Sequence, residues 1–242
     1  MWVVKDMCGI VLAFLVDLLI IGTTYACIQH GLLYISSEEL LAVYITVAGF
    51  SLLSHISCCI SNPGVLPKEQ SLDTYLLNST SRVCDHCEYP KPQRVHHCAT
   101  CQKCVLLKHH HCPWINNCVA LYTQKNYILF LVYTFLGCLL TLAIMIAKSV
   151  VFGVAGDSQG EFCITVGVIV ISSIFAVRLG CLMFDQCKYL WSNNGPIDDL
   201  LLTTFRRRKF SVNFYEVFGS NWMIWAVPVI PQVQIAAIEE IN

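Results

Sequence analysis

The sequence is poor in charged residues and has no large excess of either sign. Charged side chains make up 13% of its 242 residues, about half of the roughly 25% that a soluble domain carries. The formal net charge of -1 shows no global basic excess and by itself argues nothing about nucleic acid. Hydrophobic residues reach 56%, and the mean hydropathy is +0.61. We therefore expect lipid to be the main solvent of this chain. We expect no nucleic-acid partner, because the cysteine-rich loop 84–118 lies within a few residues of an apolar run and shows no recognition-helix pattern.

Four apolar runs are long enough to cross a bilayer, whose core requires roughly 20 helical residues. They occupy residues 8–28, 40–60, 126–147 and 162–184. The first run is too long for the apolar region of a signal peptide, so it is interpreted as a retained span. His55, inside the second run, is expected to be a helix-packing residue rather than a ligand. The pattern predicts an all-α polytopic membrane protein with four transmembrane helices.

Lysine and arginine are absent from the two short loops, 29–39 and 149–161. Basic residues occur instead in the long central loop and after the fourth run: Lys68, Arg82, Lys91, Arg94, Lys103, Lys108 and Lys125, then Lys188, Arg206, Arg207, Arg208 and Lys209. Because basic loops stay in the cytosol, both termini and the central loop are predicted to be cytosolic. The run at 206–209 is expected to attract anionic lipid.

This topology divides the chain into four predicted regions. Spans one and two belong to 1–60, and spans three and four belong to 126–184. A cytosolic cysteine-rich zinc domain occupies 61–125, with its core at 84–118. A cytosolic C-terminal region, 185–242, is expected to contain an interfacial helix at 213–228.

Seven of the 15 cysteines and six of the eight histidines lie within 84–118. In a reducing cytosol this mixture favours metal binding over disulfides. The run reads Cys84-x2-Cys87, His96-His97-Cys98-x2-Cys101-x2-Cys104, His109-His110-His111-Cys112 and finally Cys118. Two tetrahedral zinc sites need eight ligands, and six cysteines with two histidines supply them. This count leaves Cys112 over; the alternative is that Cys112 is a ligand and another cysteine is not.

The position of Cys112 after three histidines indicates chemistry rather than structure. A thiolate is the nucleophilic form of cysteine, and an adjacent imidazole lowers the pKa of a thiol. Zinc sites on either side would hold this stretch rigidly without binding its sulfur. The sequence therefore predicts Cys112 as an activated nucleophile.

At these residues the sequence resembles the Asp-His-His-Cys family of protein S-acyltransferases, the palmitoyltransferases. The resemblance covers the whole cysteine-rich loop, including Cys112-Pro113-Trp114-Ile115-Asn116-Asn117-Cys118, and the four-span topology. It implies two structural zinc ions, one held by Cys84, Cys87, His97 and Cys104, the other by Cys98, Cys101, His111 and Cys118. It also implies that Cys112 takes a long-chain acyl group from acyl-CoA and passes it to cysteines of substrate proteins. His110 would be the general base, and the membrane would be the Golgi or the endoplasmic reticulum.

Two departures from the family pattern bear on this chemistry. His109 stands where the family has the aspartate that orients the base, and a neutral imidazole supplies no compensating negative charge. The family's Thr-Thr-x-Glu motif falls on Gly195-Pro196-Ile197-Asp198. Activity is therefore expected to be reduced, and His109→Asp is expected to raise it sharply. A second hypothesis stays open, a weakened relative that binds acyl-CoA or partner proteins as a membrane scaffold.

Milder departures lie elsewhere. The family's Asp-Pro-Gly is Asn62-Pro63-Gly64 here, and its downstream Asn and Phe fall on Thr123 and Tyr127. The C-terminal element, residues 213–221 with Trp225 and Pro228, closely resembles the C-terminal motif of the family. It is expected to pack against the catalytic core, the alternative being an ordinary interfacial helix.

Overall fold

The computed structural model describes residues 2–35, 37–66, 82–88, 90–91, 94–152, 158–202 and 206–229. Within these residues four helices are long and apolar enough to cross a membrane: α1 (Met7–Cys27, continuing to Leu32), α2 (Glu38–Ile60), α3 (Gln124–Phe152) and α4 (Gln159–Ser192). The prediction of a mostly helical protein with four candidate membrane spans is confirmed. A cysteine-rich region that could hold metal ions also lies, as predicted, between the second and third spans. Residues 67–81, with Lys68, and 230–242 of the predicted regions lie outside the described residues.

Polar side chains cap the N-termini of three of these helices. Asp6 Oδ2 accepts from the amide of Gly9 at 3.2 Å, and Ser37 Oγ accepts from the amide of Leu40 at 3.2 Å. Ser158 Oγ accepts from the amide of Glu161 at 3.3 Å, and the Glu161 carboxylate accepts from the Ser158 amide at 3.1 Å. These contacts satisfy amides that have no partner inside the helix.

The helices are longer than the apolar runs that predicted them. Helix α3 already begins at Gln124, and α4 continues to Ser192, where Asn193 adopts a left-handed conformation with φ of 62°. Asparagine is one of the few residues that accept this conformation easily, and it commonly ends a helix. The polar turns at the helix ends carry no hydropathy signal, which explains the difference.

One compact unit, here called the helical unit, consists of Phe14–Ser54 and Ile128–Asp185. Its core contains Cys27, Leu32, Tyr44, Ile144, Met145 and Val168. Tyr44 Oη and Thr141 Oγ1 share a hydrogen bond of 2.7 Å, as do Ser51 Oγ and Thr134 Oγ1. Such bonds join helices α2 and α3 where lipid offers polar groups no partner.

The second compact unit, here called the site unit, consists of Met1–Ala13, His55–Tyr127 and Gln186–Asn242. Its described residues include three short antiparallel hairpins: β1 (Arg82–Val83) with β2 (Pro90–Lys91), β3 (Val95–Cys98) with β4 (Lys103–Leu106), and β5 (His110–Cys112) with β6 (Asn117–Val119). A buried core of Leu66, Cys84, Val95, Cys104, Leu106 and Leu121 supports them.

A tight turn follows the end of α2 within the site unit. Asn62 Oδ1 accepts from the amides of Gly64 and Val65, at 3.0 and 2.9 Å. Gly64 has φ of 103°, a conformation that favours glycine. Its carbonyl accepts from the amide of Leu106 at 2.9 Å, which attaches this segment to β4.

The C-terminal segment of the site unit contains two short helices, α5 (Pro196–Leu200) and α6 (Phe210–Phe218), and a 3₁₀ turn, Trp222–Ile224. The interfacial helix proposed at 213–228 is thus divided. Gly219 separates its two parts with φ of 77°, outside the helical region.

Candidate active site and metal centres

The hairpins create two groups of metal-binding side chains by one repeated arrangement. Paired residues of β3 and β4 place His97 opposite Cys104, and paired residues of β5 and β6 place His111 opposite Cys118. Each pair is completed by the Cys-x2-Cys turn of the preceding hairpin. The two groups are Cys84, Cys87, His97 and Cys104, and Cys98, Cys101, His111 and Cys118. The ligands of the two groups alternate along the sequence because each group combines side chains of two successive hairpins.

The spacing of the ligand atoms fits a tetrahedral ion. In the second group, His111 Nδ1 lies 3.6, 3.4 and 3.7 Å from the sulfurs of Cys98, Cys101 and Cys118. The sulfurs of Cys101 and Cys118 are 3.6 Å apart. Zn–S bonds of about 2.3 Å and Zn–N bonds of about 2.0 Å place tetrahedral ligand atoms roughly 3.5–3.8 Å apart. The donor set and its spacing therefore suit zinc.

The first group has the same geometry at the atoms that can be compared. His97 Nδ1 lies 3.7 Å from Cys84 Sγ and 3.3 Å from Cys87 Sγ. The residue after each Cys-x2-Cys turn, Glu88 or Gln102, has positive φ, at 59° and 54°. This left-handed residue reverses the chain at both turns.

Strand β5 presents different side chains on its two faces. Successive residues of a strand point to opposite faces, so His110 and Cys112 share one face and His111 occupies the other. His111 belongs to the second metal-binding group, and Cys112 belongs to neither group. The His110 ring contacts the edge of Tyr127, with ring centres 5.7 Å apart. Cys112 itself is 6% exposed.

The turn after Cys112 is fixed to the C-terminal end of α2 by Asn117, which is fully buried. Asn117 Nδ2 donates to the carbonyls of Cys58 and Ser61, at 2.8 and 2.7 Å. Its Oδ1 accepts from Trp2 Nε1 at 3.1 Å and from the Cys118 amide at 2.8 Å. The amide thereby uses all four of its hydrogen-bonding positions and satisfies carbonyls that the helix end leaves free.

His55 is a second support of this turn. It is fully buried near the end of α2, and its Nε2 lies 3.0 Å from the carbonyl oxygen of Trp114. Because a carbonyl only accepts, His55 Nε2 carries the proton in this contact. His55, expected to be a packing residue rather than a ligand, is thus buried and hydrogen-bonded to the backbone two residues beyond Cys112.

His109 lies in a separate buried pocket. It is 7% exposed, its ring meets the edge of Tyr189 with centres 5.4 Å apart, and its Nδ1 has no hydrogen-bond partner among the described residues. A cavity of about 40 Å³ adjoins it, lined by polar residues that include Gln124, Asn213 and Glu216. This volume can hold about two water molecules.

Both histidines before His111 are neutral at pH 7. Burial lowers the pKa of His109 to about 3, and the charges of His110 and Arg94 act in the same direction. Burial likewise lowers the pKa of His110 to about 4, helped by His111 and Lys108. Desolvation disfavours the imidazolium, which places each pKa below neutrality.

An ion-pair network lies beside His109. The Arg94 guanidinium is 3.4 Å from the carboxylate of Asp198 and donates to Asn193 Oδ1 at 3.3 Å. Arg208 donates to the same oxygen at 3.0 Å and forms a bidentate pair with Glu216, at 2.6 and 2.9 Å. Such fork-shaped pairs fix geometry as well as charge. Asn193 therefore joins the end of α4 to the hairpin region and to α6.

The C-terminal element of the site unit is hydrogen-bonded to the end of α4 and the start of α3. Asn213 Nδ2 donates to the carbonyl of Leu190, in the last turn of α4, at 2.7 Å. Lys125 Nζ, at the start of α3, donates to the carbonyls of Ile224 and Val229 at 2.7 and 3.2 Å. The described part of this element thus packs against the ends of two spanning helices.

Some of the proposed site residues lie together in the structure, and His109 does not lie with them. The eight proposed metal ligands form two groups, and Cys112 shares a strand face with His110. His109 points into the pocket next to Tyr189 instead. Sequence reasoning identified His55 as a packing residue but did not predict its contact with the turn after Cys112, and it gave no role to Asn117.

Comparisons with known proteins agree with this site. Residues 77–207, more than half of the chain, match the family model described as DHHC palmitoyltransferase. Palmitoyltransferase ZDHHC2 of Homo sapiens is 33% identical over 67% of this chain and 47% of its own length. Palmitoyltransferase ZDHHC15A of Danio rerio is 34% identical over 69% of this chain and 55% of its own length. The probable protein S-acyltransferase 14 of Arabidopsis thaliana is 26% identical over 92% of this chain and 85% of its own length.

The chain spans about half the length of the vertebrate relatives it matches. The family match itself covers both metal-binding groups, the turn at Cys112 and the end of α4. This chain belongs to the DHHC palmitoyltransferase family.

Proposed function

We propose that this chain is a protein S-acyltransferase that carries a long-chain acyl group on Cys112. The observation that supports this most is the arrangement of β5. Its two faces separate a metal-binding histidine, His111, from a thiol and an imidazole, Cys112 and His110. A purely structural metal module with eight ligands has no need for a seventh cysteine on the opposite face.

The reaction proceeds in two steps. His110 takes the thiol proton of Cys112, whose sulfur attacks the thioester carbonyl of acyl-CoA and releases the CoA thiolate, which takes up a proton. A cysteine thiol of a substrate protein then loses its proton and attacks the acyl-enzyme. The acyl group moves to the new sulfur, and Cys112 regains its proton. Neutral His110 is in the right protonation state to accept a proton at the outset.

Zinc is the metal that the two groups of ligands suit, and its role is structural. Cys84, Cys87, His97 and Cys104 would hold one ion, and Cys98, Cys101, His111 and Cys118 the other. With four protein ligands each, neither ion keeps an open position for substrate. Bound zinc would tie the three hairpins together, and so would position His110 and Cys112 indirectly.

The cellular setting follows from the charge distribution. Both termini and the region 61–125 would face the cytosol, because the loops 29–39 and 149–161 lack lysine and arginine. The membrane would be the Golgi or the endoplasmic reticulum. Substrates would be proteins with cytosolic cysteines close to that membrane.

Autoacylation of the purified chain tests the proposal. Incubation with alkyne-labelled palmitoyl-CoA is expected to give an adduct that neutral hydroxylamine removes, since hydroxylamine cleaves thioesters. Cys112→Ser is expected to reduce this adduct to background. Cys187→Ser is the matched control, because Cys187 is exposed and lies outside both metal-binding groups. It should keep both the adduct and the zinc content. A normal adduct in Cys112→Ser would refute Cys112 as the acyl carrier.

A further inference from the structure

Residues 2–9, which precede and begin α1, lie against the turn after Cys112; this segment is here called the strap. Trp2 Nε1 donates to Asn117 Oδ1 at 3.1 Å. The Trp2 amide donates to the carbonyl of Ile60, the last residue of α2, at 3.0 Å. The strap is therefore hydrogen-bonded both to the turn and to the helix that supports the turn.

Asn116 is the second point at which the strap meets the turn. It has φ of 45°, a left-handed conformation that asparagine adopts more readily than most residues. The residue is buried, and its Nδ2 donates to the carbonyl of Val4 at 3.0 Å. Its Oδ1 has no hydrogen-bond partner among the described residues and lies against the backbone of Gly9 instead.

Gly9 leaves open the space that the Asn116 side chain occupies. A Cβ added to Gly9 would lie 2.2 Å from Asn116 Oδ1 and 2.7 Å from Asn116 Cγ. Non-bonded carbon atoms are optimally about 3.5–4.0 Å apart, so the added carbon would overlap the amide. Rotation of the amide about its last bond would not relieve the overlap with Cγ. A larger movement of Asn116 would break its hydrogen bond to Val4, so glycine is the residue that fits.

Neither the backbone nor the preferences of helices explain this glycine. Gly9 lies in the first turn of α1, and it is not among the residues with positive φ. Every residue type except proline is more favourable than glycine within a helix. The requirement for glycine at this position therefore comes from the contact with Asn116.

The contact reaches Cys112 through the β5–β6 hairpin. Cys112 is paired with Asn117 in this hairpin, and only four residues separate them. Within that turn the Asn116 amide donates to the carbonyl of Pro113 at 3.2 Å. So short a turn cannot absorb a displacement of Asn116 without moving the end of a strand. A shift of about 1 Å at a reacting group can cost on the order of a hundredfold in rate.

We propose that Gly9 is a positioning residue for Cys112 and acts through Asn116. Because Gly9 has no side chain, Asn116 can fasten the strap to the turn, and the start of α1 joins the end of α2 in holding the nucleophile. Trp2 is a second positioning residue, which acts through Asn117. The catalytic consequence rests on the proposed function, whereas the contact does not.

A double-mutant cycle on the full chain tests the contact. Tm is measured in one detergent for the wild type, Gly9→Ala, Asn116→Gly and the double variant. Asn116→Gly tolerates φ of 45° and removes the atoms that the alanine Cβ would overlap. Gly9→Ala is expected to lower Tm by about 2–12 °C in the wild-type chain, and by less than about half as much in the Asn116→Gly background. Equal losses in the two backgrounds would overturn the proposal.

Alkylation of Cys112 tests the positioning without acyl-CoA. Labelling by N-ethylmaleimide is followed by mass spectrometry of the peptide that contains Cys112, which is 6% exposed in the wild type. Gly9→Ala is expected to speed this labelling about fivefold, because a displaced turn opens more often. The double variant should label no faster than Asn116→Gly. Unchanged labelling in Gly9→Ala would overturn the positioning role, even where Tm falls.

Autoacylation with alkyne-labelled palmitoyl-CoA tests the catalytic consequence. Gly9→Ala is expected to lower the maximal rate about tenfold and to keep the half-saturating palmitoyl-CoA concentration within about twofold of the wild type. Trp2→Phe loses only the indole N–H and is expected to lower the maximal rate about threefold. An unchanged maximal rate with a higher half-saturating concentration would overturn the positioning role. If the wild type forms no adduct, the proposed function fails, while Tm and labelling still decide the contact.

Gly22 supplies the matched control, since it lies in the same helix and a Cβ there would meet no described atom within 4 Å. Gly22→Ala is expected to leave the labelling of Cys112 and the maximal acylation rate unchanged. Its Tm should be unchanged or higher, because alanine favours the helix. Losses as large as those of Gly9→Ala would show a general effect of alanine for glycine and would contradict the proposal.

Discussion

Asn117→Ala is the substitution whose effect the structure predicts most directly. The Asn117 side chain is fully buried and makes four hydrogen bonds. Two of its partners are the carbonyls of Cys58 and Ser61 at the end of α2, and one is Trp2 Nε1. Alanine leaves these buried groups without their partner and leaves a small void between the helix end and the β5–β6 turn.

The expected loss is about 3 kcal/mol of unfolding free energy. Each buried group left unsatisfied costs roughly 1–3 kcal/mol, and relaxation of the helix end offsets part of the sum of four. For a chain of this size, about 3 kcal/mol corresponds to a decrease in Tm of about 6–12 °C. Asn117→Asp keeps the acceptor but removes both donors and faces two carbonyls with a carboxylate. Its loss should be at least as large.

Thermal unfolding of the purified chain measures this effect. Asn221→Ala is the matched control, because Asn221 is exposed and accepts one hydrogen bond, from the Met223 amide at 3.1 Å. That variant should lose less than about 1 kcal/mol. If Asn117→Ala lost no more than Asn221→Ala, the turn after Cys112 would not be held by this amide.

Three further predictions concern other supports of the site unit. His55→Leu removes a donor from the Trp114 carbonyl, about 1 kcal/mol, so the acylation rate should fall about fivefold with zinc content unchanged. Cys101→Ser removes one ligand of the second metal-binding group, so zinc measured by mass spectrometry should fall from two ions to about one per chain. Gly64→Ala forces a side chain into φ of 103°, which costs roughly 1–2 kcal/mol and should lower Tm by about 2–8 °C.

Conservative variants separate these effects from general damage. His55→Gln retains a donor and should keep the rate within about twofold of the wild type. Cys8→Ser changes an exposed cysteine and should retain two zinc ions. Gly49→Ala lies in helix α2, where a Cβ would meet no described atom within 4 Å, and should leave Tm unchanged or higher. An unchanged rate in His55→Leu, full zinc in Cys101→Ser, or equal Tm in Gly64→Ala and Gly49→Ala would contradict the corresponding prediction.

The membrane-spanning helices were predictable because about twenty successive apolar residues match the thickness of the bilayer core and rarely occur in other structures. Their ends were not, because backbone hydrogen bonds continue after hydropathy falls. Helix α4 shows the difference: the apolar run ends at residue 184, but the helix ends at Ser192, and this last part carries Tyr189 and Leu190 into the site unit. The partners of His109 and Asn213 therefore come from a segment that hydropathy did not assign to a helix.

The short hairpins were not predicted at all. Strands of two to four residues are too brief to show an alternating pattern, and the metal-binding residues interrupt what pattern there is. The ligand sets came from the family resemblance, whereas the facing pairs His97–Cys104 and His111–Cys118 explain them physically.

Strand alternation explains why His110, His111 and Cys112 must be consecutive. His111 faces the second metal-binding group, so its two neighbours must face away from it. One residue inserted between His111 and Cys112 would turn the thiol toward the second metal-binding group and separate it from His110. On the other side of the turn, Asn117 and His55 hold the backbone to α2. The proposed metal coordination at His111 and the hydrogen bonds of Asn117 and His55 would thus constrain the thiol independently, so loss of one is expected to loosen Cys112 while the other still holds its end of the turn.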